Sequence, residues 1–327
     1  MRRRLIAVLL APSIVFAIAL ALASPTYAQT YPFRQITLII PFAAGGSNDI
    51  VARAIAKALA EVWGRPVIAE NRPGAGGVIG AATVASAAPD GYTLLLVSST
   101  FTINAAVKMS MPFDTIRDFT PIAFIARSPL LITASNNVPV NSAQELFALA
   151  RTKPDKITFA SSGIGSINQI SAELIAQSAD VKLMHIPYKG GAPALNDLLG
   201  GYVDIYVSSL PQVQQLAQSG QVKALAVTSA KRTQLLPNVP TLGESGIAGF
   251  DLSSWWGIVG PAGMPPDVVK ALNTEIGKLL ASPELNKFLT SEGAEARAMT
   301  PQEFADLIRS EIQIWVKVAR DANISID

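Results

Sequence analysis

The residues with most chemical potential in this sequence are glycines set beside short polar side chains. "FAAGGSND", residues 42–49 with Phe42 and Ala43 at its head, joins a strand-like run to a helix-like one. Gly45 and Gly46 permit positive φ and leave backbone N–H groups uncovered. Ser47 or Asn48 can cap the following helix, and Asp49 falls in its first turn, where the dipole favours negative charge. Such a joint either cradles an anion or is a capped turn holding nothing, and the residues alone admit both. "ASSGIGSINQ" repeats the recipe with Ser161, Ser162, Gly163, Gly165 and Ser166. A third loop, "SSTFTIN", offers Ser98, Ser99, Thr100 and Asn104, groups that equally serve a plain polar loop.

Catalytic constellations are scarce. His185, the one histidine, lies in the strand-like "LMHIPY", where a core role is expected. The chain has no cysteine, so a metal site would need carboxylates alone, and no clustered acidic motif occurs. No metal and no cofactor is expected. There is no G-x-S-x-G elbow, and nothing demands a Ser–Lys hydrolase. "RPGAGGVIG" misses the dinucleotide fingerprint because Ile79 takes the third glycine's place, and it lacks the Walker lysine. Gly74, Gly76 and Gly77 therefore read as turn and helix-approach glycines. Asp204 opens a strand, where it either caps a neighbouring helix or holds a ligand amine or hydroxyl. Tyr188 and Lys189 close another strand and could line a cleft, Lys189 being otherwise a solvated charge. Trp255 and Trp256 either wall a pocket or pack in the core.

These loops need elements to position them. Residues 1–28 read as a cleaved signal peptide: Arg2 to Arg4, an apolar run over Leu5–Ala23, then "SPTYAQ" with Ala28 before the cut. An uncleaved anchor is the rival, since the run is long enough to span a bilayer. Roughly 300 residues follow, enough for two domains. None of their stretches is apolar enough to span, so a soluble mature protein is expected. The formal charge is +2 including the signal arginines, which makes nucleic acid an unexpected partner. Half the residues are hydrophobic and 15% are charged, the balance of a large core.

Strands and amphipathic helices alternate. "QITLII", "PVIAEN" and "GYTLLLVSS" read as strands, with helices from Ser47 to Trp63 and in "VIGAATVASAA". Val51, Ile55, Leu59 and Val62 give the first helix its apolar face. From about Leu130 a second series begins, with strands in "LLITAS", "KITFASS", "KLMHIPY", "VDIYVSS" and "VKALAVTS" and helices between. The order implies βαβ units and parallel sheet. A Pro- and Gly-rich stretch holding "SSWWGIVG" leads to a helical tail, with Phe304, Leu307, Ile308, Ile312 and Trp315 as a core stripe. If the chain crosses between halves near 128 and back near 250, two crossings make a hinge and a cleft. The βα loops of both halves would then face that cleft.

Several stretches together resemble the Bug/TctC-type receptors, periplasmic solute-binding proteins of tripartite tricarboxylate transport systems. They are "YPFRQITLIIPFAAGGSNDIVARAIAKAL", "VIAENRPGAGG", "APDGYTLLLVSST", "PYKGGAPALNDLLGGYVD", "VKALAVTSAKR", "LPNVPTLGESG" and "WWGIVGPAGMP". The resemblance runs through nearly the whole chain after the signal segment. It implies an α/β, type II-like two-domain periplasmic-binding-protein fold, with a ligand cleft between domains joined by a two-strand hinge. On that pattern residues 29–127 and 251–327 form one domain and 128–250 the other.

The implied function is capture of a small organic carboxylate in the periplasm and delivery to membrane permease subunits, by a monomer with no enzymatic activity. An exported serine-dependent hydrolase and a sensor for a signalling partner are the alternatives. The carboxylate would lie between Phe42–Asp49 and Ser161–Ser166, met by N–H dipoles and bridging waters, since neither loop carries Lys or Arg. The full expected ligand set is Phe42, Ala43, Gly45, Gly46, Ser47, Asp49, Ser99, Thr100, Asn104, Ser161, Ser162, Gly165, Ser166, Tyr188 and Asp204. The chain departs from the family pattern at Ile164, Gln169, Val207 and Ser208. The last removes an acid that could meet an amine, which favours plain carboxylates over amino acids.

Overall fold

The aliphatic, β-branched run at Ile36–Ile40 forms the central strand β1 of the first half, with four of its five residues buried. It pairs in parallel with β2 (Val67–Asn71) and β3 (Thr93–Ser98). The crossovers are α1 (Ser47–Trp63) and α2 (Val78–Ala85), which follows a 3₁₀ turn over Ala75–Gly77. Helix α1 buries Val51, Ile55 and Leu59 as its spacing predicts, whereas Val62, at the last turn, stays exposed. The chain turns away at Gly64, whose left-handed conformation ends the helix. The computed structural model describes residues 31–107 and 110–321, so the signal segment lies outside the described residues.

Two departures from the sequence reading matter for the site. "SSTFTIN" is no polar loop: Ser98 closes β3, and the rest opens a helix, α3 (Ser99–Val107). The second series opens on one long strand, β4 (Phe119–Ala134), which the prolines at 121 and 129 disguise. A proline has no N–H to give a ladder. Here the register slips beside Pro121, and Pro129 stands where β4 changes partners.

Residues 119–129 of β4 pair with β9 (Ser253–Pro261), which "SSWWGIVG" forms and which also borders β3 antiparallel. Residues 130–134 pair instead with β7 (Ile205–Ser209), beside which β5 (Thr158–Ser161) and β6 (Met184–Pro187) run parallel. β8 (Lys223–Val227) lies antiparallel on the same segment of β4. The helices of this second lobe are α4 (Ala143–Thr152), α5 (Ile167–Ser178), α6 (Gly191–Gly200) and α7 (Leu210–Gln218). The sheet is thus parallel within each βαβ series and antiparallel where β4, β8 and β9 join it.

The tail adds α8 (Pro266–Ala281), α9 (Pro283–Ser291), β10 (Glu295–Ala296) and α10 (Pro301–Asp321). Phe304, Ile308 and Ile312 of α10 enter the core of the first lobe with Phe124 and Trp255, while Trp315 and Ala319 join the core around Leu130 and Ile132. Trp255 and Trp256 are both buried, the packing role of the two weighed for them. Residues from Arg34 onward make one compact unit. Among the described residues no helix is long and apolar enough to cross a membrane.

Candidate functional site

The carboxyl ends of β1, β5 and β6 deliver their loops to one region. Ala43 donates its N–H across to the Lys189 carbonyl at 3.3 Å. A Cβ on Gly190 would lie 2.8 Å from the Ala43 nitrogen, and one on Gly163 would lie 3.3 Å from the Gly76 Cα. Thr100, at the start of α3, accepts from the Ile167 N–H at 3.2 Å and so ties the first lobe to α5. Between these contacts lies a chamber of about 1000 Å³ walled by Phe42, Val78, Ile164, Tyr188 and Pro193, with Ser162 and Gly163 at its edge. Lys189 is the one charged residue among its described lining. Gly74, Gly76 and Gly77 line it too, beyond the turn role expected of them.

Helix α1 has Gly46, not Ser47 or Asn48, as its N-cap, and no side chain caps it. The Asp49 N–H goes to the Gly46 carbonyl at 2.9 Å, which leaves the N–H groups of Ser47 and Asn48 with no carbonyl within the helix. Asp49 folds back to accept from the Gly45 N–H at 3.0 Å, and also takes Arg53 Nε and Asn71 Nδ2, each at 2.9 Å. Burial would raise its pKa, but those bonds outweigh burial and hold it below the ordinary carboxylate value. Asp49 is therefore a brace for the loop rather than a group open to a ligand.

The second loop differs in kind. Ser166 caps α5 by accepting from the Gln169 N–H, and Gln169 Oε1 takes the Gly165 N–H at 2.8 Å. Gly163 N–H goes to Ser161 Oγ, and Ser166 N–H to the Gly163 carbonyl. Most of the N–H groups expected to face an anion there are thus already bonded within the lobe. Ser162 Oγ donates to Asn168 Oδ1. Ser161 is fully buried and shares a 2.6 Å hydrogen bond with His185 Nε2, whose ring stacks on Phe159. Burial pushes His185 down to about 4, keeping it neutral, which fits the core role expected of it.

Three expected site residues are turned to other work. Asp204 lies before β7, at the opposite end of the strands from the glycine loops. Its carboxylate takes the Thr158 N–H at 2.7 Å and the Thr158 hydroxyl at 2.9 Å. The position at a strand start was legible in the sequence, and strand starts point away from βα loops. Ser99 Oγ accepts from the Trp255 N–H, so it fastens β9. Ser161 faces His185, as above.

Tyr188 remains at the chamber, and Asn104 lines a small cavity next to it. Tyr188 donates to Asp197 Oδ2 at 2.6 Å, and burial together with that carboxylate pushes its hydroxyl up to about 12. Asn104 donates to the Gly76 carbonyl while its buried Oδ1 has no partner. The cavity that Asn104 lines with Phe42 and Thr100 is about 20 Å³, room for one water. Among the described residues no three acidic or histidine side chains gather as a metal requires.

The sequence reading placed Lys189 at a cleft but missed Gly190–Ala192 and Gln212. "KGGA" repeats the strand, glycines, helix recipe of the first loop, so the signal for it was present.

Comparison with known proteins follows the same line. The family model described as "Tripartite tricarboxylate transporter family receptor" matches residues 51–324. The chain is 35% identical over 314 residues to Protein BugT of Bordetella pertussis, covering 95% of this chain and 96% of that one. The solved structure of R. palustris Rpa4515 with adipate is 37% identical and superposes with a TM-score of 0.88 over 90% of this chain and 99% of that one. MatC of Rhodopseudomonas palustris with bound malate is 32% identical, with a TM-score of 0.84 over 88% and 99%.

Proposed function

This chain belongs to the tripartite tricarboxylate transporter receptor family, and on that premise we propose that it captures a small organic carboxylate by closing two lobes upon it. The family is one of receptors, which sets aside the exported-hydrolase reading. One observation carries the proposal. The uncapped start of α1 meets the second lobe beside a chamber whose described lining has only Lys189 as a charge. A carboxylate suits backbone N–H groups at a helix start, and the apolar walls suit its carbon skeleton. Relatives caught with adipate and with malate supply the ligand class.

We take residues 128–250 as the closing lobe and 29–127 with 251–327 as the other. The change of partner along β4 near Pro129 and the start of β9 at Ser253 support this division. A monomer resides in the periplasm after removal of residues 1–28 and delivers its cargo to the permease subunits of a tripartite tricarboxylate transporter. Ligand stabilises the closed form because that form alone contacts it from both sides.

The test is mass spectrometry of small molecules released from the native protein, followed by thermal denaturation with each candidate acid. A genuine cargo at one hundred times its Kd should add about 2.7 kcal/mol of stability and be recovered unchanged. A panel of mono-, di- and tricarboxylates that leaves the melt unmoved, with no acid released, refutes the reading.

A further inference from the structure

Three helix starts that lack side-chain caps meet at one point. Helix α1 begins at Gly46, α6 at Gly190 and α7 at Ser209, and none of the three has a side-chain capping bond. The missing cap alone does not set them apart, since α2, α8 and α9 also lack one while Ser142 caps α4 and Ser166 caps α5; their meeting does. A Cβ on Gly46 would lie 3.5 Å from the Gly191 nitrogen and 3.7 Å from the Ala192 nitrogen. The first turns of α1 and α6 therefore abut across the two lobes. Both glycines are buried in that contact, and only glycine at 191 leaves space for the Gln212 carboxamide beside it.

Gln212 supplies the second, independent observation. It stands in the first turn of α7, only 8% exposed. Ser208 Oγ donates to its Oε1 at 3.0 Å and Tyr206 OH at 3.3 Å, which orients the carboxamide. Its Nε2 is buried and has no hydrogen-bond partner. That donor lies against α6: a Cβ on Gly191 would be 2.7 Å from it. A buried donor left unmade costs free energy, so a fixed one calls for an acceptor. Helix starts add positive potential at the same place, partly balanced by Asp49, whose charge Arg53 offsets.

We propose that a carboxylate of the ligand is held where the first turns of α1, α6 and α7 meet, and that Gln212 Nε2 donates to it directly. Gln212 is then a specificity-determining residue for the anionic group. The proposal rests on the receptor reading above. It relocates the second lobe's contribution from the α5 loop, whose N–H groups are largely bonded already, to α6 and Gln212.

The test uses the full-length mature protein, with adipate and malate as probes and adipamide as the neutral counterpart of adipate. Gln212→Glu keeps the acceptor for Ser208 and Tyr206 but replaces the donor with an acid. Gln212→Met has the same reach, cannot donate, and guards against misfolding from a buried acid. Both variants should bind the better probe about tenfold to a hundredfold more weakly by calorimetry, with the melting curve of the unliganded protein retained. Gln212→Glu should also shift the preference from adipate toward adipamide, which a purely structural role would not do. Wild-type affinity for the acid in both variants overturns the inference while leaving the receptor reading intact. If no carboxylate binds the wild-type protein, the receptor reading fails and this inference falls with it.

Discussion

Asp49 illustrates how one side chain can be read for the wrong duty. Its place in the first turn of a helix beside two glycines suggests ligand contact, yet its three bonds all go to the protein: Gly45, Arg53 and Asn71. Since its folded pKa lies below the ordinary 3.8, its contribution to stability is full above that value. That contribution disappears as pH falls through the lowered folded value. Asp49→Ala should therefore cost about 1–3 kcal/mol near neutral pH, and the gap from wild type should narrow below pH 4. Urea denaturation at several pH values measures both, and a constant gap across the series would refute the brace. Asp204 makes the converse point: a position before β7 already says that it lies away from the βα loops. What sequence cannot supply is which N–H groups are taken, because that depends on where Gln169 and Thr100 send their side chains.

At the scale of elements, legibility follows the range of the interactions. Helix α1 has the bounds expected of it, and α5 follows the second glycine loop as that recipe implies, because glycines, Ser166 and apolar spacing are local signals. α3 was hidden because its threonines resemble a loop and its support comes from far along the chain. Thr102 donates to Glu311 of α10, 209 residues on. Glu311 also takes the Trp255 indole N–H at 2.7 Å, so one carboxylate pins α10 to both α3 and β9. Burial raises its pKa above 4.5 despite those bonds. With the folded value raised, the ionised form costs stability, a cost that sets in as pH climbs past 4.5 and levels off above the folded pKa. Glu311→Gln should thus be at least as stable as wild type at pH 7, with a flatter profile from pH 4.5 upward. Glu311→Ala should lose about 1–3 kcal/mol by stranding the Trp255 indole donor, the Thr102 hydroxyl keeping the Ser99 carbonyl at 2.8 Å. Melting temperatures of the pair across that range decide it: equal losses in both would mean that charge and bonding have been misassigned.

For the whole molecule, the contacts that join the proposed lobes are made largely of backbone, and this sets how closely they can approach. Gly190 has φ +148°, a conformation L side chains rarely adopt, and its Cα faces Ala43 across the cleft. Even a methyl group would meet the Ala43 nitrogen at 2.8 Å and the Ala43 Cβ at 3.0 Å. Backbone on both sides leaves nothing flexible to move aside, so the methyl must hold the lobes apart. The φ strain is carried in either form, but overpacking of this kind costs about 1–3 kcal/mol more, and that part falls on the closed form because the clash with Ala43 needs the two loops to meet. Gly190→Ala should therefore weaken adipate or malate binding by about tenfold to a hundredfold. Small-angle scattering gives the independent reading: wild type should contract on saturation with the bound acid, while the variant keeps its unliganded radius. Full contraction in Gly190→Ala at wild-type affinity would show that the lobes close by some other path than the meeting of these two loops.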